Sequence, residues 1–138
     1  MKIAATIANT LTRLTGVIQI VLGILFWTGN ALGLIPIHIL SGTVLVLSLW
    51  TLAILAARAG VQPGLVALAL IWGLITVALG LTQDRIMVNS AHWIIQVVHL
   101  LVGIGAVGQA EALAARIKRA HLPEKTASDQ SNQNRQTG

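Results

Sequence analysis

The chain has 138 residues, of which 55% are hydrophobic and only 9% charged. A soluble domain of this size carries about 25% charged residues, so the composition excludes an ordinary soluble surface. The net charge of +5 is confined to the ends of apolar runs and the C-terminal tail. That is the distribution membrane topology produces, and it argues against nucleic acid as a partner.

No charged residue falls between Arg13 and Arg58, between Arg58 and Asp84, or between Arg85 and Glu111. The absence of cysteine excludes disulfides, thiolate metal sites, iron–sulfur clusters and covalent c-type haem. The first apolar run, Leu14 to about Ile35, is too long for a secretory signal peptide and lacks a small-residue cleavage site, so it reads as a retained span.

Taken in order, the first helix is predicted from about Ile7 to Thr28. Gly29-Asn30 is a turn signal, and Pro36 suits the first turn of a second helix, about Ile35 to Ala57. After the break AARAGVQPG, a third helix is predicted from about Gly64 to Leu81. The polar loop TQDRIMVNS leads to a fourth, from about Ser90 to Ala115. Each run approaches the roughly 20 residues needed to cross about 30 Å of hydrocarbon. The predicted fold class is therefore an all-α, four-transmembrane-helix up-down bundle over residues 1–120. Residues 121–138, polar and without apolar periodicity, are expected to form a disordered cytoplasmic tail. His121 falls in that tail and reads as a solvated residue.

Orientation follows from lysine and arginine near the span ends. Lys2, Arg13, Arg58, Arg116, Lys118 and Arg119 fall on one side, and Arg85, beside Asp84, on the other. Both termini are expected in the cytoplasm, with the chain integral to the plasma (inner) membrane and the loops at 29–36 and 82–91 facing outward.

An internal repeat is expected. GVIQIVLG at 16–23 matches GLITVALG at 73–80, with glycines seven apart in each, and IHILSG at 37–42 matches VHLLVG at 98–103. The chain then reads as a two-helix hairpin used twice, each second helix bearing a histidine with a glycine four residues on: His38 with Gly42, and His99 with Gly103.

An ionisable side chain within a membrane span is costly and marks a functional site by default. In an up-down bundle with axes about 8–10 Å apart, helices 2 and 4 are diagonal neighbours at roughly 12–14 Å. That gap is too wide for direct packing and suits a histidine, an iron and a second histidine. Iron so bound has no open position, and its chemistry is electron transfer. The glycines one turn away, Gly42 and Gly103, leave room for a porphyrin, and Gly16, Gly23, Gly73 and Gly80 can do the same from helices 1 and 3. By helix rise, His38 is about 30 Å from Arg58 and His99 about 25 Å from Arg116. A haem there sits in the outer half, its propionates towards Arg85, Asn89 and Trp93.

His92 leaves alternatives open. Seven residues before His99, it shares a helix face with it. It is the second ligand in place of His99, a hydrogen-bond partner of a propionate, a proton relay to quinol, or a plain interfacial histidine. The pair has an alternative too: the histidines hydrogen-bond across helices to Gln19, Gln96, Ser41 or Thr43, in a haem-free membrane module that packs on a partner or forms a homo-oligomer. Zinc held by His38, His92 and His99 lacks a carboxylate or thiolate to complete it. A small transporter, suggested by the repeat, lacks an intramembrane charge. Trp27 and Trp93 read as interfacial anchors, Trp50 and Trp72 as packing residues, and Gln19 and Gln96 as polar groups facing the bundle. No catalytic constellation or nucleotide fingerprint is present.

Four membrane helices with histidines on alternate helices, each followed by small residues, resemble the small membrane cytochromes b. That group includes the b-type subunits of respiratory dehydrogenases and the ascorbate- or quinol-linked cytochromes b. The resemblance covers about residues 14–110. It implies haem b on His38 and His99, with electron exchange with quinol or a redox partner protein. Those relatives often hold two haems on four histidines. This chain has three intramembrane candidates, which limits it to one haem and leaves no haem-to-haem path across the membrane.

Overall fold

The computed structural model describes residues 2–83, 85–86 and 89–120. The expected disordered tail at 121–138, with His121, and the Asp84 side of the Asp84–Arg85 pair lie outside the described residues. Among the described residues there is no strand. Four long helices, α1 (Lys2–Trp27), α2 (Ile35–Arg58), α3 (Pro63–Thr82) and α4 (His92–Ala120), are each long and apolar enough to cross a membrane. A single 3₁₀ turn, Leu32–Leu34, precedes α2.

The helix ends follow local chemistry. Gly29 has φ +75°, Asn30 N–H donates to the Leu25 carbonyl and Gly29 N–H to that of Phe26. Gly60 repeats this at the end of α2: φ +75°, with Val61 N–H to Ala56 O and Gly60 N–H to Ala57 O. Both are Schellman closures, in which a left-handed residue, nearly free of cost for glycine, turns the last amides back onto orphan carbonyls. Pro36 and Pro63 sit in the first turns of α2 and α3, where a missing N–H has no helical partner to lose. The outer helices extend further than expected: α1 begins at Lys2 rather than near Ile7, and α4 runs to Ala120 rather than Ala115. Those added turns line one cavity between α1 and α4, and deeper in the bundle Arg13 of α1 pairs with Glu111 of α4.

Sequential helices are antiparallel neighbours, and α1 also packs on α4. The arrangement departs from expectation at the diagonal. Helices α2 and α4 touch directly, while α1 and α3 make no contact among the described residues. The cross-section is a flattened rhombus with α2 and α4 on its short axis. Small residues allow this: the core cluster contains seven alanines, Ala5, Ala8, Ala53, Ala56, Ala69, Ala106 and Ala110, between Leu45, Leu49, Leu52, Leu113 and Ile117. Small side chains let helix backbones approach closely when neither helix gains by leaving an apolar solvent. This core occupies the half of the bundle nearest the termini. The other half, where the α1–α2 and α3–α4 connections lie, is less tightly filled.

Two indoles tie α3 into the bundle by one device. Trp50 of α2 lies over Gly73 and donates its Nε1–H to the Leu70 carbonyl of α3, at 3.2 Å. Trp72 of α3 lies over Gly105 and donates to the Val102 carbonyl of α4, at 2.9 Å. In each, the acceptor is three residues before the glycine, so the notch left by the missing Cβ is what brings the indole to the carbonyl. These tryptophans are packing residues, as expected. Gly73→Ala and Gly105→Ala would set a Cβ against an indole and are expected to destabilise by about 1–3 kcal/mol each. Gly64→Ala, whose Cβ meets nothing within 4 Å, is expected to change stability by under about 1 kcal/mol. Thermal unfolding in detergent, followed by circular dichroism, checks that order.

Candidate functional site

The open half of the bundle brings two of the four histidines together. His38 lies in the first turn of α2 and His99 two turns into α4, and both are half-buried. Their ring centroids are 6.3 Å apart with the planes tilted by 51°. The Nδ1 atoms of both are buried, and neither imidazole has a hydrogen-bond partner among the described residues. A buried polar atom without a partner is uncommon and costs free energy unless a water, ion or ligand satisfies it.

Three of the neighbouring polar groups, Gln19, Ser41 and Thr43, are spent elsewhere. The Gln19 amide, from α1, donates to the backbone carbonyl of His38 and, at 2.9 Å, to Ser41 Oγ. Ser41 in turn donates to the same His38 carbonyl. Gln19 thus tethers the backbone that carries His38 and leaves its ring free. The hydroxyl of Thr43 is committed to the carbonyl of Ile39. Phe26, which sequence reasoning passed over, sets its ring edge-on to His38 at 5.3 Å. An apolar ring near a helix C-terminus carries no periodic signal that distinguishes it from a lipid-facing one.

Space lies on both sides of the pair. A cavity of about 200 Å³ opens towards α1, lined by Gln19, Gly23, Phe26, His92, Gln96 and Gly103 as well as the two histidines. A second, of about 90 Å³, opens towards α3, lined by Gly42, Thr43, Thr76 and Gly80, again with both histidines. The histidines are the wall between them.

The glycines divide in role. A Cβ at Gly23 or at Gly103 would meet nothing within 4 Å, so both leave open space in the larger cavity. Gly80 borders His99, whose Cε1 would lie 3.6 Å from a Cβ there. Beside Gly42 the room is taken by the Gln19 amide, 2.8 Å from where a Cβ would lie. Gly16 accommodates Val107 of α4 and Gly73 the Trp50 indole, so these two serve helix packing.

His92 opens α4 at the mouth of the larger cavity, its Nδ1 3.3 Å from the Ile86 carbonyl. Gln83, at the end of α3, joins it there. Arg85 is exposed in the α3–α4 connection and lines neither cavity. Trp27 lines the larger cavity from α1 and Trp93 is exposed. Among the described residues no group of three or more His, Cys, Asp or Glu side chains converges on one point. Zinc in a set made of His38, His92 and His99 therefore has no support.

The Gln19 bonds connect α1 to α2 inside an apolar surround. Gln19→Leu removes both and is expected to destabilise the bundle by about 0.6–1.7 kcal/mol. Thermal unfolding in detergent, compared with Gln96→Leu as a second cavity-lining amide, measures the loss. Gln96 makes no hydrogen bond among the described residues, so its substitution should cost less.

Comparison of the chain with protein-family models, with curated proteins and with solved structures finds no match in any of the three.

Proposed function

We propose that this protein is a membrane b-type cytochrome, with one haem b held between α2 and α4 by His38 and His99. One observation carries the reading. Two imidazoles from different helices lie next to each other among mostly apolar residues, 6.3 Å between centroids and tilted by 51°, neither hydrogen-bonded among the described residues. Two metal–nitrogen bonds of about 2 Å each, with the inner halves of two imidazole rings, span about 6 Å. The haem-free alternative needs the histidines to bond across helices, and no such bond is present among the described residues.

Bound there, haem supplies a one-electron redox centre. The chain's own residues hold and shape it. His38 and His99 would hold the haem iron, and a haem held by two imidazoles would suit electron transfer rather than oxygen activation. The Gln19 tether fixes the backbone of His38, as outer groups orient ligands in metal sites generally. Gly23 and Gly103 keep the larger cavity open, and Phe26 and Leu100 line it with apolar surface. His92, Gln83 and Gln96 place polar groups at its mouth, where quinol or a redox partner protein would exchange electrons and protons.

The same reading sets the chain in the plasma membrane with both termini cytoplasmic, because Lys2, Arg58, Arg116, Lys118 and Arg119 mark one end and Arg85 the other. It also takes the chain as a duplicated hairpin. The two matched histidines meet across the short diagonal, which is what a pseudo-twofold relation between hairpins requires.

The test is a dithionite-reduced minus oxidised optical spectrum of detergent-purified protein. Wild type is expected to show a b-type α-band at one haem per chain. His38→Ala and His99→Ala should each lose most of it, while His92→Ala keeps it. No haem band after expression with ample haem, or a full band in His38→Ala, would overturn the assignment.

A further inference from the structure

A third cavity, larger than the two beside the histidines, lies at the other end of the bundle, between α1 and α4. It is an open groove of about 520 Å³ lined by Lys2, Thr6, Asn9, Thr10, Arg13 and Lys118, with the small residues Ala5, Ala114 and Ala115 between them. Its one carboxylate is already committed. Glu111 accepts from Arg13 Nε and, at 2.7 Å, from Arg13 Nη2, and its Oε2 lies 3.4 Å from Asn9 Nδ2. Lys2 and Lys118 have no ion-pair partner among the described residues, so the cavity keeps two uncompensated ammonium groups. The Thr10 hydroxyl makes no hydrogen bond there, and Asn9 Oδ1 is buried without one. A concave site with surplus positive charge and free polar groups is complementary to a compact polyoxygen anion.

Depth identifies where such an anion would come from. If Trp27 marks one interface, the opposite boundary of about 30 Å of hydrocarbon falls about 20 residues earlier, near Ile7. The cavity, from Lys2 to Arg13, then straddles the level of the lipid headgroups. We infer that it binds a phosphate ester, carried by an anionic phospholipid or by a small soluble ester. The inference shares the membrane setting with the proposed function and is independent of haem.

Native mass spectrometry of the detergent-purified full chain tests it, with phosphatidylglycerol, phosphatidylcholine and glycerol phosphate as probes. Wild type should retain one phosphatidylglycerol about tenfold more strongly than phosphatidylcholine. Lys2→Gln/Lys118→Gln should lose that preference, and Arg58→Gln, at the same end but outside the cavity, should keep it. Equal retention of the two lipids together with no binding of glycerol phosphate would overturn the site. So would an equal loss in Arg58→Gln, which would mean diffuse surface charge. Glycerol phosphate competing with the lipid supports the site and assigns its ligand to a soluble ester. Absence of competition with the lipid preference intact supports it and assigns the lipid. The haem absorbance of the same samples bears on the haem reading alone.

Discussion

The close approach of α2 to α4 governs this structure. In a lipid-like surround, helices gain little from apolar burial itself, because the solvent is as apolar as the core. What holds them is fit, and here the fit comes from alanines. Ala53 and Ala56 of α2 and Ala106 and Ala110 of α4 are fully buried, and they let two helices that ought to be diagonal touch. That contact pushes α1 and α3 apart to the ends of the long axis. In the half away from the termini it leaves two cavities around a pair of histidines.

The polar groups in this apolar body can be accounted for almost one by one. The two inner tryptophans donate to carbonyls of the next helix, Gln19 donates to a carbonyl and a hydroxyl of α2, and Thr12, Thr15, Thr51 and Thr76 return their hydroxyls to their own helices. In the membrane setting proposed for this chain, such closure would be what a stable span demands. Among the described residues the exceptions are Asn9 Oδ1, Gln96, Gln109 Oε1 and the imidazoles of His38 and His99, and the two histidines lie next to each other with ring centroids 6.3 Å apart. The proposed haem gives these two exceptions a common cause, where interhelical glue gives them none.

Much of the helix plan was legible because charge silence, Gly-Asn and Pro punctuation act locally. The Schellman closures at Gly29 and Gly60 and the prolines of α2 and α3 lie where those signals placed the turns. The helix ends at Lys2 and Ala120 were less so, since the end turns of α1 and α4 pack in one cluster through Ala5, Ala8, Leu113 and Ile117, residues far apart in sequence. The diagonal gap was misjudged for a related reason: axis spacing depends on which alanines meet, and a single helix pattern does not disclose its partner. At the site, the histidines announced themselves by being polar in apolar runs. Phe26 and Gln83 did not, and the space beside Gly42 proved to belong to a glutamine. Glycine marks close approach without saying what approaches.

The central claim is that two imidazoles are the axial ligands of one haem. Low-temperature electron paramagnetic resonance of the oxidised wild-type protein tests this most directly, because the ferric spin state and its anisotropy report the axial ligands themselves. The account predicts a low-spin ferric signal of the bis-imidazole type. A high-spin signal, or no haem signal in folded protein supplied with haem, would contradict it.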